Sequence, residues 1–458
     1  MELNAEKLTS LQAKFIELTE SQFGETEGWY QTNTREGIFG TALVIWLWML
    51  QIMNGSSMSG VMGLLHEGAA ELVLSKNEAS KRVQNNKISS NTGGYSRARS
   101  RVPEVDIEEV TELLAEATRR TINAQHKEGQ RIYDIDGTLV TLSNTESISE
   151  KYPAHTGRKG KYNHPLIRIV FASDLISGTC VKPVYGACSG EDALSEQRLG
   201  CEVIDKLEPG SLMIGDRNFG VFSVISHAHV QSKEVLVRLS KTHAHKFLKE
   251  EKERGEVDKE VQWQKSYRDT LIQEEDDITV EGRFIRTKLE RAGFKPMILY
   301  FFTTSKLPVA KLVELYGLRV HIETDIRHLK SLFKMEQLYV KTPDMVRKHL
   351  HILFATYNLL RTIVAETARS IGVEPRRISF TSAVMYVKIY GAKILKATSI
   401  EEIRDCEERL RTSLRQTLLP NRTRTRHEPR MLTRRRSAYP VMRTNRASVK
   451  KRLKIPQF

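Results

Sequence analysis

The sequence has little cysteine: Cys180, Cys188, Cys201 and Cys406 are the four in 458 residues, and none forms a C-x-x-C pair. That excludes a disulfide framework, removes the spacing of a zinc knuckle and fits a reducing compartment, the cytoplasm. Long apolar runs are also missing. The most apolar stretch, Ile38 to Leu50 (IFGTALVIWLWML), stops at Gln51. It is too short to cross a bilayer and suits a buried helix. The N-terminal segment mixes charged and apolar residues without an h-region, so no secretory signal is expected. Aromatic residues are 7% of the chain, and the segment 422–436 (RTRTRHEPRMLTRRR) has none. Base stacking is therefore not expected there; phosphate neutralisation is.

What is present is an uneven charge. The net charge is +15. Residues 411–458 hold 15 Lys/Arg and one acid, Glu428, a balance of +14; the first 410 residues hold 56 basic and 55 acidic residues, a balance of +1. This is a near-neutral body with a basic tail, and the commonest partner of such a tail is nucleic acid. A hydrophobic share of 40% excludes a wholly disordered chain.

Residues 1–125 read as a helical region with breaks. A loop signal at 91–94 precedes a short helix carrying Arg97, Arg99 and Arg101, which suits either DNA or a solvated face. From 131 the pattern changes. Apolar runs at 131–142, 167–173, 182–187, 211–216, 234–240 and 298–305 read as strands, and 191–207 and 219–228 as helices, which points to an α/β layer fold. Residues 241–296 are charged and irregular and read as an insertion. Segments 311–333 and 343–365 read as helices, the second capped by Thr342 with Pro343 in its first turn. The expected divisions are 1–125, 126–370 and 371–458.

Three acids stand out. Asp136 precedes Gly137-Thr138 near the end of an apolar strand, Asp216 ends the strand SLMIGD, and Glu323 lies on the helix after the last strand. Carboxylates converging at a sheet edge repel one another unless a hard cation such as Mg²⁺ holds them, and a two-metal site serves phosphoryl transfer. On one continuous helix, Tyr316, Arg319, Glu323 and Lys330 fall within about 60° of one face. That face combines an aromatic ring, a carboxylate and two cations able to grip phosphates; an ordinary i,i+4 Arg–Glu pair is the plain alternative. Arg217 follows Asp216 and is a phosphate candidate. Arg158, Lys159 and Lys161 form a basic loop that either tracks DNA or is simply solvated. The pairs His227/His229 and His243/His245 lack a third zinc ligand.

The residues Tyr316, Arg319, Glu323 and Lys330 match the YREK signature of bacterial insertion-sequence transposases of the DDE type, and the chain resembles their IS-four family. DGT at 136–138, GDRNFGVF at 215–222, TYNLLR at 356–361 and GGYSRARSRVP at 93–103 are similar to segments of that family. The resemblance implies an RNase H-like core with a mixed five-stranded sheet, a β-rich insertion, and helical N- and C-terminal regions. It implies that Asp136, Asp216 and Glu323 bind two Mg²⁺ ions, with Mn²⁺ as a substitute. It implies cleavage at transposon ends and strand transfer, through hairpin ends, by a synapsed homodimer in the bacterial nucleoid. It also implies that an insertion tryptophan, here Trp263, receives a flipped base; a Trp covering a local core is the alternative.

Two rivals remain. YDIDGTLV (133–140) also resembles the D-x-D-G-T motif of haloacid-dehalogenase-like phosphatases, with Asp134 as nucleophile and Asp136 as general acid; period-two alternation sets both on one side of a strand. A non-catalytic, transposase-derived DNA-binding protein is the other.

Overall fold

Eight strands form one mixed sheet in the computed structural model, which describes residues 11–23, 38–70, 73, 89–123, 129–157, 160–161, 163–248, 255–265, 278–290, 296–420, 448 and 451. The strands are β1 (Ile132–Thr141), β2 (Leu166–Asp174), β3 (Cys180–Ala187), β4 (Leu212–Gly215), β5 (Glu234–Arg238), β6 (Val257–Gln264), β7 (Thr279–Leu289) and β8 (Met297–Thr303). Their order is β3-β2-β1-β4-β5-β8-β7-β6. β1 runs antiparallel to β2, and β2 to β3, while β1, β4 and β5 are parallel neighbours. The chain divides into a large unit, Met1–Lys288 with Ile298–Asn421, and a small one, Leu289–Met297 with Arg422–Phe458; the acids discussed below all lie in the large unit.

The α/β reading from apolar runs holds, and the sheet is larger than the five strands expected. β6 and β7, from the segment read as an insertion, extend the same sheet. β6 alternates along its length: Val257, Lys259, Val261 and Trp263 face inward while Asp258, Glu260 and Gln262 are exposed. That period of two is what a sheet-edge strand with one covered face requires.

The apolar run at 38–50 forms the helix Thr41–Asn54, most of which is buried. Its Trp48 indole donates to His349 Nδ1 at 3.0 Å. Among the described residues no helix is long and apolar enough to cross a membrane. The core is organised around the helix Pro343–Ser370, which starts as its sequence predicts, with the Thr342 side chain accepting from the Met345 N–H and Pro343 in the first turn. Its Asn358 serves as a strand partner for β3: Oδ1 accepts from the Cys180 N–H at 2.9 Å, and Nδ2 donates to the Cys180 carbonyl at 2.8 Å. A buried strand edge is thereby satisfied by one side chain.

The segment 311–333 is two helices rather than one, Val309–Gly317 and Val320–Leu332. At the junction the backbone switches to i→i−3 bonds, Arg319 N–H to Tyr316 O at 3.1 Å and His321 N–H to Leu318 O at 2.8 Å. Gly317, a weak helix former, stands where the first helix ends.

Candidate active site

β1 and β4 are parallel and in register from Ile132↔Leu212 to Ile135↔Gly215. The next pair in that register is Asp136 and Asp216. β4 stops at Gly215, whereas β1 runs on beside β2, so the two acids sit where one parallel neighbour ends. Such a point at the carboxyl ends of parallel strands is where an open α/β sheet leaves room for a ligand. The Asp136 carboxylate accepts from the Gly137 N–H at 2.8 Å, and Asp216 from the Asn218 N–H at 2.7 Å.

Glu323 comes from the first turn of the helix Val320–Leu332. One guanidinium joins all three acids. Arg319 donates from Nη2 to Asp136 Oδ2 at 3.0 Å and from Nη1 to Glu323 Oε1 at 2.8 Å, and its Nη2 lies 4.0 Å from Asp216 Oδ2. Exposure rises outward across the group: the side chains of Asp136, Asp216 and Glu323 are 16%, 36% and 58% exposed. Burial raises the Asp136 carboxyl above the usual range, and the charges of Asp216 and Glu323 add to that, against Arg319 and the Gly137 N–H. One cation among three carboxylates leaves an excess of negative charge bounded by oxygen donors. That donor set fits hard divalent ions such as Mg²⁺ or Mn²⁺.

The helix carrying Glu323 is anchored by a buried acid that sequence reasoning did not single out. Asp325 is fully buried. It accepts from Ser173 Oγ and Tyr357 OH, each at 2.9 Å, from Arg361 at 2.7 Å, and from both terminal nitrogens of Arg376 at 3.2 and 3.1 Å. Burial alone would raise its carboxyl; Arg376 and Arg361 outweigh that and hold it at about 2. Tyr357 and Arg361 belong to the TYNLLR segment, so that segment supports the Glu323 helix from beneath. The only advance signal was a cation and a hydroxyl at i,i+4 spacing on an apolar helix.

Other expected residues divide by burial. Tyr316 packs its ring edge-on to Phe301 at 4.7 Å, and burial raises its hydroxyl. It ends the preceding helix, so it does not share one continuous helix face with Arg319, Glu323 and Lys330. Lys330 is partly exposed and Arg217 exposed. Arg97 and Arg101 are exposed, but Arg99 is buried over the Trp48 ring at 4.0 Å, so the short helix presents two of its three arginines. Trp263 is 3% exposed and packs against Phe222, His243, Phe247 and Phe302. An aromatic core encloses it, so it offers no free face to a base; the core alternative is the one seen. Arg158 and Lys159 lie outside the described residues, as does 422–436; Lys161 is described only as backbone in a two-residue ladder.

Asp134 sits two residues before Asp136, 1% exposed, with neither carboxylate oxygen hydrogen-bonded. Burial pushes its carboxyl well above the usual range. Glu196, also missed, begins the helix Glu196–Lys206 and accepts from Asn218 Nδ2 at 3.0 Å. Its pKa is raised by burial, then by Asp136 and Asp216. A separate group brings together Glu104, Glu108 and His351: the buried His351 Nε2 lies 3.1 Å from Glu108 and 3.6 Å from Glu104.

No curated protein matches the chain. The family model described as a transposase DDE domain matches residues 127–359, just over half of the chain, from the edge of β1 past Asp136, Asp216, Glu323 and Asp325 into the helix Pro343–Ser370. By that match the chain belongs to the DDE transposase family.

Proposed function

We propose that the protein is a DNA transposase of the IS-four type that binds the terminal inverted repeats of its own insertion sequence and cuts and joins DNA at Asp136, Asp216 and Glu323. One observation carries this: a single guanidinium, Arg319, reaches all three acids although they come from β1, the end of β4 and a later helix. The strand order β3-β2-β1-β4-β5, with its antiparallel and parallel pairs, supports an RNase H-like core. In this reading 126–370 is the catalytic domain, 1–125 a DNA-binding region, and 371–458 a helical region with a basic tail.

Asp136, Asp216 and Glu323 would hold two Mg²⁺ or Mn²⁺ ions, which when bound activate the attacking oxygen and stabilise the leaving one. The chain's cations do the rest. Arg319 sits at the acids and turns to a phosphate as the acids take up ions. Arg217 and Lys330 flank the site, and Arg97 and Arg101 meet the backbone further along. Water attacks the phosphodiester at the transposon end and leaves a 3′-OH. That hydroxyl attacks the opposite strand to close a hairpin, a second water reopens it, and the freed 3′-OH joins target DNA. Two protomers work as a synaptic homodimer in the bacterial nucleoid. The phosphatase reading needs Asp134 to meet substrate, and its 1% exposure and position beneath Asp136 weigh against it.

The test is excision from DNA carrying the gene with its own flanks, using purified protein and Mg²⁺ or Mn²⁺. Wild type releases a discrete fragment, Asp136→Asn and Glu323→Gln do not, and Asp134→Asn retains cleavage. Phosphate release from a small phosphoester, lost in Asp134→Asn, with no DNA cut by any variant, would refute the proposal.

A further inference from the structure

The β1 segment at Asp136 and the loop that follows β4 at Asp216 must be held at a set spacing for the two acids to work together, and one side chain touches both. Glu196 Oε2 accepts from Asn218 Nδ2 at 3.0 Å, and Asn218 in turn donates its backbone N–H to Asp216. The neighbouring Gln197 adds bonds from Nε2 to Asn218 Oδ1 at 2.9 Å and Asn218 O at 3.2 Å. On its other side, the Glu196 carboxylate lies against Gly137. A Cβ at Gly137 would collide with Glu196 Oε1 and stand 2.8 Å from its Cδ. The glycine after Asp136 is therefore the space that Glu196 fills. Ser195 caps the helix by accepting from the Arg198 N–H, which fixes where Glu196 starts.

The charge is as informative as the contacts. No Lys or Arg forms an ion pair with Glu196 among the described residues. Arg319 is taken by Asp136 and Glu323, and Arg168, which acts on Glu196 only at a distance, donates to the Leu194 carbonyl. Beneath them Asp134, nine-tenths buried and more, has two oxygens without a partner. A fourth carboxylate wedged between Asp136 and Asp216 adds to repulsion unless the group's partner is a multivalent cation.

Resting on the reading of these acids as a metal site, we infer that Glu196 is a positioning residue of that site: it sets the spacing between β1 at Asp136 and the loop that carries Asp216, and supplies outer negative charge that draws divalent cations. Partners of metal ligands at this remove typically contribute about 10- to 100-fold in metal affinity.

The test is Mn²⁺ binding to the full-length protein without DNA, followed by the loss of the free-ion EPR signal, with thermal melting in parallel. Glu196→Gln keeps the shape and a carbonyl acceptor for Asn218 while removing the charge. It is expected to bind Mn²⁺ about tenfold more weakly at an unchanged melting temperature. Gly137→Ala, which drives the Glu196 carboxylate out of its space, is expected to weaken Mn²⁺ similarly. Asp136→Asn is the reference for the site itself. If Glu196→Gln binds Mn²⁺ as wild type does while Asp136→Asn does not, the inference is overturned and the metal site stands. If Asp136→Asn also binds as wild type does, the metal site falls and the inference with it.

Discussion

Asp325→Asn tests how the Glu323 helix is held. The carboxylate is fully buried and receives five hydrogen bonds from Ser173, Tyr357, Arg361 and Arg376. An amide keeps the size but presents an N–H₂ group to a ring of donors, and it leaves two guanidinium charges with no counter-ion. Removing one partner from a buried charged network typically costs about 3–5 kcal/mol. At roughly 2–4 °C per kcal/mol for a domain of this size, the melting temperature should fall by roughly 10 °C. The same carboxyl sets a pH limit. Its folded pKa of about 2 lies below the ordinary aspartate value of 3.8. Its contribution is therefore complete above the unfolded value and lost as pH falls from about 4 to about 2. Wild type should lose stability across that window, and Asp325→Asn should lose less. Calorimetry of the two proteins between pH 2 and 7 is the assay. An Asn variant melting within 2 °C of wild type at pH 7 would refute the anchoring argument.

Three further outcomes follow from the same contacts. Arg319→Ala removes the cation that neutralises the acids, so added Mg²⁺ should raise its melting temperature more than it raises wild type's; an equal shift contradicts Arg319's compensating role. His351 is raised: burial lowers it, but Glu104 and Glu108 outweigh burial. Its pairing therefore stabilises fully below about pH 6.5 and is lost as pH rises through the folded value, so the melting difference between wild type and His351→Gln should shrink from pH 6 to pH 9. Trp263→Ala should cost about 3–5 kcal/mol in urea unfolding, as loss of a packed aromatic does; a cost near zero would mean the ring is not core.

Much of the scaffold was legible because it depends on local pattern. Apolar runs of strand length anticipated β1 to β5 and β8, and Thr342-Pro343 marked a helix start. Asp136 and Asp216 stand out because each directly follows an apolar strand segment, although β1 runs on past Asp136 to Thr141 and only Asp216 stands at the end of its strand. What was not legible depends on distant partners. Nothing in S-E-Q at 195–197 announces that Glu196 will rest on Gly137, nor does Asp325 look different from an exposed helix acid until Arg361 and Arg376 meet it. Arg99 is buried among neighbours by Trp48, an apolar partner far away in sequence. The break at Leu318 and Arg319 sits inside an unbroken helical periodicity, where a periodicity argument has no purchase. β6 did carry a signal, the alternation ending at Trp263, obscured by its charged outer face.

The most direct test of the account is the location of bound Mn²⁺ by anomalous scattering in crystals of the protein with its transposon-end DNA. The account predicts anomalous peaks among the carboxylates of Asp136, Asp216 and Glu323, with Arg319 turned from the acids to a DNA phosphate. Peaks confined to Glu104, Glu108 and His351, or none beside Asp136 while DNA occupies the site, would contradict it.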